Sequence, residues 1–274
     1  MTVWSLPQLY PPTMCPNSHV HLAALTTPTN PKPELEGPVP DCVPEDPISH
    51  AAYALASQHL HPAILNHSLR VWIYARAYAE HEHEHEYEGS SRPTLPFPLL
   101  FTACILHDLG ATPAFSHIDS EPDELQRFEI EGADAAASLL REIRSRASGG
   151  DGDSSNPEQE LSISNEDIDH VWRAIALHTT PQITERMGGM VRVVRLAVLS
   201  DFNRGSIAGK KGLQRETEAE FERMDIERVL VDAVVQQALS SRMPEGKAPP
   251  ASWPHDLLRA HRRDPRWEGV NKGF

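Results

Sequence analysis

Long apolar runs and a cysteine framework are both missing from this sequence. No stretch approaches the roughly 20 apolar residues that a membrane-spanning helix needs. The N-terminus also lacks the basic head and apolar core of a secretory signal. The three cysteines, Cys15, Cys42 and Cys104, cannot all pair and form no CxxC motif, which favours a reducing compartment over a disulfide framework. We therefore expect a soluble, cytoplasmic protein.

Positive charge is also in short supply, which bears on the partners that this chain can bind. The sequence has 25 Lys and Arg against 39 Asp and Glu, a formal net charge of −14, and it contains no long basic run. This balance argues against electrostatic binding to nucleic acid or to an anionic membrane. We expect a small-molecule substrate as the partner, and the sequence leaves open whether the chain forms a homo-oligomer.

The 274 residues suit one domain with tails. Prolines crowd residues 1–47, and because each removes a backbone donor and disfavours helix in its predecessor, we predict a Pro-rich arm that is poorly ordered. Helical periodicity over 48–245 predicts the domain itself. Within it, the Gly/Ser/Asp-rich stretch at 148–163 predicts a mobile insertion. Residues 246–274 form a C-terminal extension.

The periodic segments predict an all-α fold, because no convincing alternating strand pattern is present. Apolar residues recur at helical spacing in the segment PAILNHSLRVWIYARAYAE, which starts at Pro62. We predict a further helix over about 96–108, which ends at HDLG, and a long amphipathic helix over about 216–242. The run VRVVRLAVLS at 191–200 could be mistaken for a buried strand, but we interpret it as helix.

Ionisable side chains occur at the ends of several apolar helices. His107 and Asp108 follow the apolar run of CILHDLG, where an unpaired buried carboxylate would be costly. A divalent metal would compensate for that cost, because imidazole nitrogen and carboxylate oxygen are both good ligands for zinc, iron or manganese. Two adjacent residues cannot complete such a site. His67, His178 and Asp201 lie in comparable positions, and together these residues indicate a metal site.

The order H…HD…D, in NHSLRVW, CILHDLGATP and VLSDFNRG, resembles the HD-domain metalloenzymes, an all-helical superfamily dominated by phosphohydrolases. It is more similar to the cyanamide hydratase branch, through HSLRV, HDLGAT, RFEIEGADAA and AIALHTTP. The resemblance covers about 50–205 and implies a single HD-domain helical bundle. It also implies one divalent metal ion, with zinc preferred over iron, manganese or nickel, on the ligands His67, His107, Asp108 and Asp201.

The function implied by this resemblance is hydration of a small nitrile, most simply cyanamide to urea. HD nucleotidases that hydrolyse monophosphates typically carry a glutamate shortly after the HD pair, whereas Ala111, Thr112 and Pro113 follow it here. This difference favours the hydratase branch. In such a reaction a metal-activated water attacks the nitrile carbon. We assign catalytic roles to Asp108 and His178 in proton transfer and to Thr112 in binding the substrate.

Two other functions remain open at this stage. One is an HD-type phosphohydrolase acting on a small nucleotide or phosphate ester, with Arg70 on the phosphate. The other is a non-catalytic helical module that keeps its metal for stability. Arg70 could instead pair with an acid on a neighbouring helix, and Glu129 could orient a ligand histidine or lie on a helix surface. The HEHEHEYE run at 81–88 is interpreted as a solvated helix end, although its histidines could bind metal weakly.

Overall fold

The computed structural model describes residues 38–84, 95–121, 124–148, 163–202, 210 and 212–265. These residues all belong to one unit, Gly37–Phe274, whereas a second unit, Met1–Glu36, lies outside them. Most of the Pro-rich arm, nearly all of the insertion at 148–163 and half of the HEHEHEYE run also lie outside the described residues. The predictions made for those segments therefore stay predictions.

Helices make up all the regular secondary structure within the described ranges, which confirms the all-α prediction. Short 3-10 turns cover Leu109–Ala111, Pro113–Phe115 and Thr184–Arg186. The described residues form ten α-helices: α1 (Pro47–His59), α2 (Pro62–Glu84), α3 (Phe97–Leu106), α4 (Phe128–Ser148), α5 (Asn165–Leu177), α6 (Gly189–Asp201), α7 (Leu213–Glu220), α8 (Ile226–Ser240), α9 (Pro244–Lys247) and α10 (Trp253–Arg263).

Several helices begin at side chains that satisfy the free amides of the first turn. Asp46 accepts hydrogen bonds from two amides at the start of α1. Ser164 and Asp167 form a reciprocal capping box at the start of α5. Ser252 accepts from the amide of His255 in the first turn of α10. These boundaries therefore follow from local sequence.

The core brings the ends of four helices together. Helix α2 packs along α3 and α6, while α5 packs against α3, α4 and α6. Every residue of α3 from Leu99 to Leu106 is buried, so this helix runs through the interior and delivers His107 and Asp108 into it. The strand-like run at 191–200 is part of α6, as interpreted from the sequence. No helix among those described is both long enough and apolar enough to cross a membrane.

The turn after α3 lies against the backbone at the start of α4. A Cβ atom added at Gly110 would lie 2.0 Å from the carbonyl oxygen of Phe128, and one added at Gly132 would lie 3.2 Å from the amide nitrogen of Gly110. Only a residue without a side chain fits at Gly110 in this arrangement. The contact fixes the HD segment relative to α4.

The C-terminal helices pack on the same turn. Gln237 of α8 donates its side-chain amide to the carbonyl oxygen of Gly110 at 2.6 Å. Lys247, at the end of α9, is buried and forms an ion pair with Glu131 of α4, with 2.5 Å between Nζ and Oε2. Trp253 of α10 lies edge-on to Phe128, with 6.0 Å between ring centroids. Residues beyond 245 thus contact the helical domain directly.

The single long helix predicted over 216–242 is wrong, because the chain breaks between α7 and α8. Met224 and Asp225 have φ values of 49° and 60°, a left-handed conformation that ends a helix. The break frees the carbonyl oxygens of Phe221 and Glu222, and both accept hydrogen bonds from Arg70 of α2. A tertiary contact from a distant helix therefore stabilises an interruption that the local sequence does not specify.

Candidate metal centre

Three buried side chains from α2 and from the end of α3 converge on one point. His67, His107 and Asp108 each offer one ligand atom, and these three atoms lie within 4.8 Å of one another. The Nε2 atoms of His67 and His107 are 3.2 Å apart. Oδ2 of Asp108 is 3.1 Å from His107 Nε2 and 3.6 Å from His67 Nε2. Separations of this size suit side chains that surround a single ion.

Hydrogen bonds to the other ring nitrogens assign the tautomers of both histidines. His107 Nδ1 donates to the carbonyl oxygen of Cys104 at 2.7 Å, and His67 Nδ1 donates to Oδ2 of Asp201 at 2.7 Å. In the neutral form of each ring, Nε2 therefore carries the lone pair on the side that faces Asp108. Such backing by an acceptor is the usual arrangement behind a metal-ligating histidine.

The donor set fits a divalent metal ion. Both carboxylate oxygens of Asp108 are buried and lack a hydrogen-bond partner. Two imidazole lone pairs and a buried carboxylate repel one another unless a proton or a metal cation lies between them. Two nitrogens and one oxygen are ligands that zinc, iron or manganese accept, and three protein ligands leave a coordination position for water or substrate.

The electrostatics of the cluster agree with this interpretation. Burial acts to raise the pKa of Asp108, but His107 and His178 outweigh it and hold that pKa well below its ordinary value. Burial lowers the pKa of His67, against the raising effect of Asp201. Burial also acts to lower the pKa of His107, but Asp108 reverses the shift and raises it. A metal ion would therefore compete with a proton at His107.

Asp201, at the end of α6, lies behind His67. Its Oδ1 accepts from Arg70 Nε at 2.7 Å, and its Oδ2 accepts from Arg70 Nη2 at 2.8 Å and from His67 Nδ1 at 2.7 Å. The group of three close ligand atoms does not include Asp201. In this arrangement Asp201 orients His67, and its role as a direct metal ligand stays a prediction.

Arg70 pairs with an acid on a neighbouring helix, which is one of the two interpretations made from the sequence. Its side chain is fully buried against Asp201. Nη1 donates to the carbonyl oxygens of Phe221 at 2.9 Å and Glu222 at 3.1 Å. All three guanidinium nitrogens thus donate to protein oxygens. Sequence reasoning missed Arg223, which donates to the backbone oxygen of Asp201 at 2.7 Å from within the segment wrongly predicted as helix.

His178 follows α5 and lies near Oδ1 of Asp108, whereas His67 lies near Oδ2. Its Nδ1 donates to the carbonyl oxygen of Ile175 at 2.6 Å, and its Nε2 is 3.5 Å from Oδ1 of Asp108. Its ring is edge-on to that of His107, with 4.9 Å between centroids. A buried imidazole in this position can exchange a proton with a group bound beside Asp108.

Two other sequence candidates are held by contacts of their own. The hydroxyl of Thr112 donates to the carbonyl oxygen of Leu109 at 2.8 Å, so it caps its own turn, and its part in substrate binding stays a prediction. Glu129 is fully buried, which excludes the surface position considered for it. Its Oε1 accepts from the hydroxyl of Thr179 at 2.5 Å. Residue type alone gave no signal for that pairing.

A family model described as the HD domain matches residues 64–231, more than half of the chain. This span includes the three clustered side chains together with His178 and Asp201. No curated protein matches the chain.

Proposed function

The chain belongs to the HD-domain family, and from that premise we propose that it is a metal-dependent hydratase that adds water to a small neutral nitrile, most simply cyanamide. The family match supports a metal-dependent enzyme of the hydrolase type in general. The choice of a nitrile over a phosphate ester rests on the cations around the site.

The contacts of Arg70 are the main support for a nitrile over a phosphate ester. A phosphohydrolase needs positive groups that can contact the phosphate oxygens, because charge develops there during the reaction. Arg70, the residue that we considered for this task, is fully buried, and its guanidinium donates to Asp201 and to two backbone carbonyls. It is therefore not available to a phosphate.

Two other arginines that contact residues of the site are engaged as well. Arg195 donates to the carbonyl oxygen of His178 and pairs with Glu185. Arg223 donates to the backbone oxygen of Asp201 and pairs with two glutamates of the neighbouring helices. An uncharged substrate suits these surroundings better than a dianion does.

The reaction follows from the positions of the ligands and of His178. When bound, a divalent ion supplies the Lewis acidity that lets water ionise near neutral pH. His67, His107 and Asp108 would hold that ion, while Asp201 keeps Nδ1 of His67 protonated and its ring oriented. The water oxygen bonds to the nitrile carbon, and one water proton passes through His178 to the nitrile nitrogen. The product, isourea, tautomerises to urea.

Urea formation from cyanamide by purified protein of measured metal content tests the proposal. We expect urea from the metal-loaded wild type, metal without urea from His178→Ala, and neither from Asp108→Ala. Asp232→Ala, which removes a carboxylate from an exposed pair on α8, serves as the matched control and should behave as wild type. Bound metal with phosphate release from nucleotides instead of urea would favour a phosphohydrolase. Bound metal with neither product would favour a non-catalytic module.

A further inference from the structure

Two arginines from neighbouring segments hold the C-terminal end of α5. Arg127 Nη2 donates to the carbonyl oxygen of Ala176 at 3.1 Å, and Arg195 Nη1 donates to that of His178 at 2.9 Å. The last carbonyls of a helix have no partner within the helix, and these side chains replace it. The segment that presents His178 is thus fixed from outside its own helix.

The next residue is held by a buried carboxylate. Thr179 donates its hydroxyl to Oε1 of Glu129 at 2.5 Å. Arg127 Nε lies 3.5 Å from the other oxygen, Oε2, which has no hydrogen-bond partner. Burial raises the pKa of Glu129, in opposition to the charges of Arg127 and His178. A buried carboxylate whose charge is only partly balanced adds little to stability. Buried ionisable groups with shifted pKa values are concentrated at functional sites.

The start of α4 also touches the ring of His178. Phe128 lies edge-on to this imidazole, with 5.8 Å between centroids. Consecutive residues of α4 thus contact the ring of His178 and the side chain of Thr179, the residue that follows it. Because His178 Nδ1 already donates to Ile175 within α5, the direction of Nε2 depends on how this turn is placed.

We propose that Glu129 and Thr179 are a pair of positioning residues, which hold the turn after α5 so that Nε2 of His178 faces Asp108. The hydrogen bond between them lies one residue beyond His178 and joins its turn to α4. The inference rests on the proposed function, in which His178 moves the proton, but its test includes a measurement that needs no turnover. The role requires a hydrogen-bond acceptor at Glu129 and a hydroxyl at Thr179.

The experiment compares Thr179→Val, which removes the hydroxyl at nearly constant volume, with the full-length wild type, both loaded with zinc. Side-chain NMR of labelled histidines should show displaced His178 resonances, while those of His67 stay in place. Zinc affinity should change less than about twofold. On cyanamide, kcat should fall about tenfold to a hundredfold with KM nearly unchanged, because a small misplacement of a reacting group is costly.

Two conservative variants and one control complete the design. Thr179→Ser restores a hydroxyl and Glu129→Gln retains an acceptor, so both should keep His178 resonances and kcat close to those of the wild type. Thr102→Val removes a buried hydroxyl that donates to the carbonyl oxygen of Pro98 in α3. It should leave the His178 resonances unchanged.

The proposal is overturned if the His178 resonances in Thr179→Val match those of the wild type. It is also overturned if zinc affinity falls in parallel with kcat, because the pair would then stabilise the centre as a whole. If the wild type makes no urea, the hydratase proposal fails, and the NMR comparison still decides the positioning role.

Discussion

Replacing Arg70 with methionine tests whether the candidate centre depends on one buried guanidinium. Methionine keeps much of the apolar stem but removes every donor that Arg70 directs at Asp201, Phe221 and Glu222. Asp201 would keep the hydrogen bond from His67 and the more distant Arg223, 3.7 Å from its Oδ1. Its buried charge would lose its main partner.

The magnitude follows from the burial of both partners. Removing one partner of a buried ion pair costs about 3–5 kcal/mol, because the remaining charge is left uncompensated. Arg70 and Asp201 side chains are both fully buried, so solvent does not screen this loss. Whole domains have a free energy of unfolding of only about 5–15 kcal/mol. Arg70→Met should therefore remain folded at low temperature, but with a much smaller free energy of unfolding. Arg70→Lys should recover only part of the loss, since it cannot donate in the same forked geometry.

Urea denaturation of the metal-free chain at neutral pH measures this loss. Arg228→Met is the matched control, because Arg228 pairs with Asp232 on the exposed face of α8 and exposed pairs contribute at most about 1 kcal/mol. Zinc affinity should also fall by about tenfold to a hundredfold in Arg70→Met, since His67 loses its oriented backing group. A destabilisation no larger than that of Arg228→Met would refute the argument that Asp201 depends on Arg70.

Three further predictions concern glycine packing, acid and the C-terminal helices. Gly110→Ala should lower the thermal unfolding temperature far more than Gly132→Ala, because its Cβ would clash with a backbone oxygen at 2.0 Å. Burial acts to raise the pKa of Asp201, but Arg70 and His67 lower it overall. Its contribution to stability is therefore complete above about pH 4 and is lost as pH falls towards the folded-state pKa, which denaturation at several pH values should detect. Lys247→Met should lower the free energy of unfolding by about 3–5 kcal/mol, because it leaves the buried carboxylate of Glu131 without its partner. The double variant Lys247→Met/Glu131→Leu should regain most of that stability in the same denaturation assay.

Local sequence was sufficient for the helical class and for part of the candidate site. The apolar run of α3 predicts a buried helix, and a buried helix that ends in His107 and Asp108 requires compensation for the carboxylate. The start of α5 also follows from local sequence, because the cap formed by Ser164 acts within one turn. Periodicity also identified α6 correctly in spite of its many valines.

Local sequence did not predict the partner of a buried charge when that partner lies far away in the chain. Arg70 could pair with phosphate or with an acid, and only the packing of α2 against α6 placed Asp201 within 2.7 Å of it. Glu129 lay in a helix with a polar face, and only the approach of α5 buried it beside Thr179. Neither pairing produces a periodic pattern in the sequence, because each partner lies far away in the chain.

The sequence by itself therefore determined the helical class and the entry of His107 and Asp108 into the core, since these depend on the spacing of apolar residues. Tertiary structure alone decided the break between α7 and α8. Residues 221–225 include ordinary helix formers, and their helix is interrupted where Arg70 donates to the carbonyl oxygens of Phe221 and Glu222 and where Arg223, within the segment, donates to the carbonyl oxygen of Asp201. The break, the hydrogen bonds of Arg70 and the orientation of His67 depend on one another, because Arg70 contacts both the broken segment and Asp201, and Asp201 contacts His67. Buried charges pair with the groups that the packed helices bring close to them.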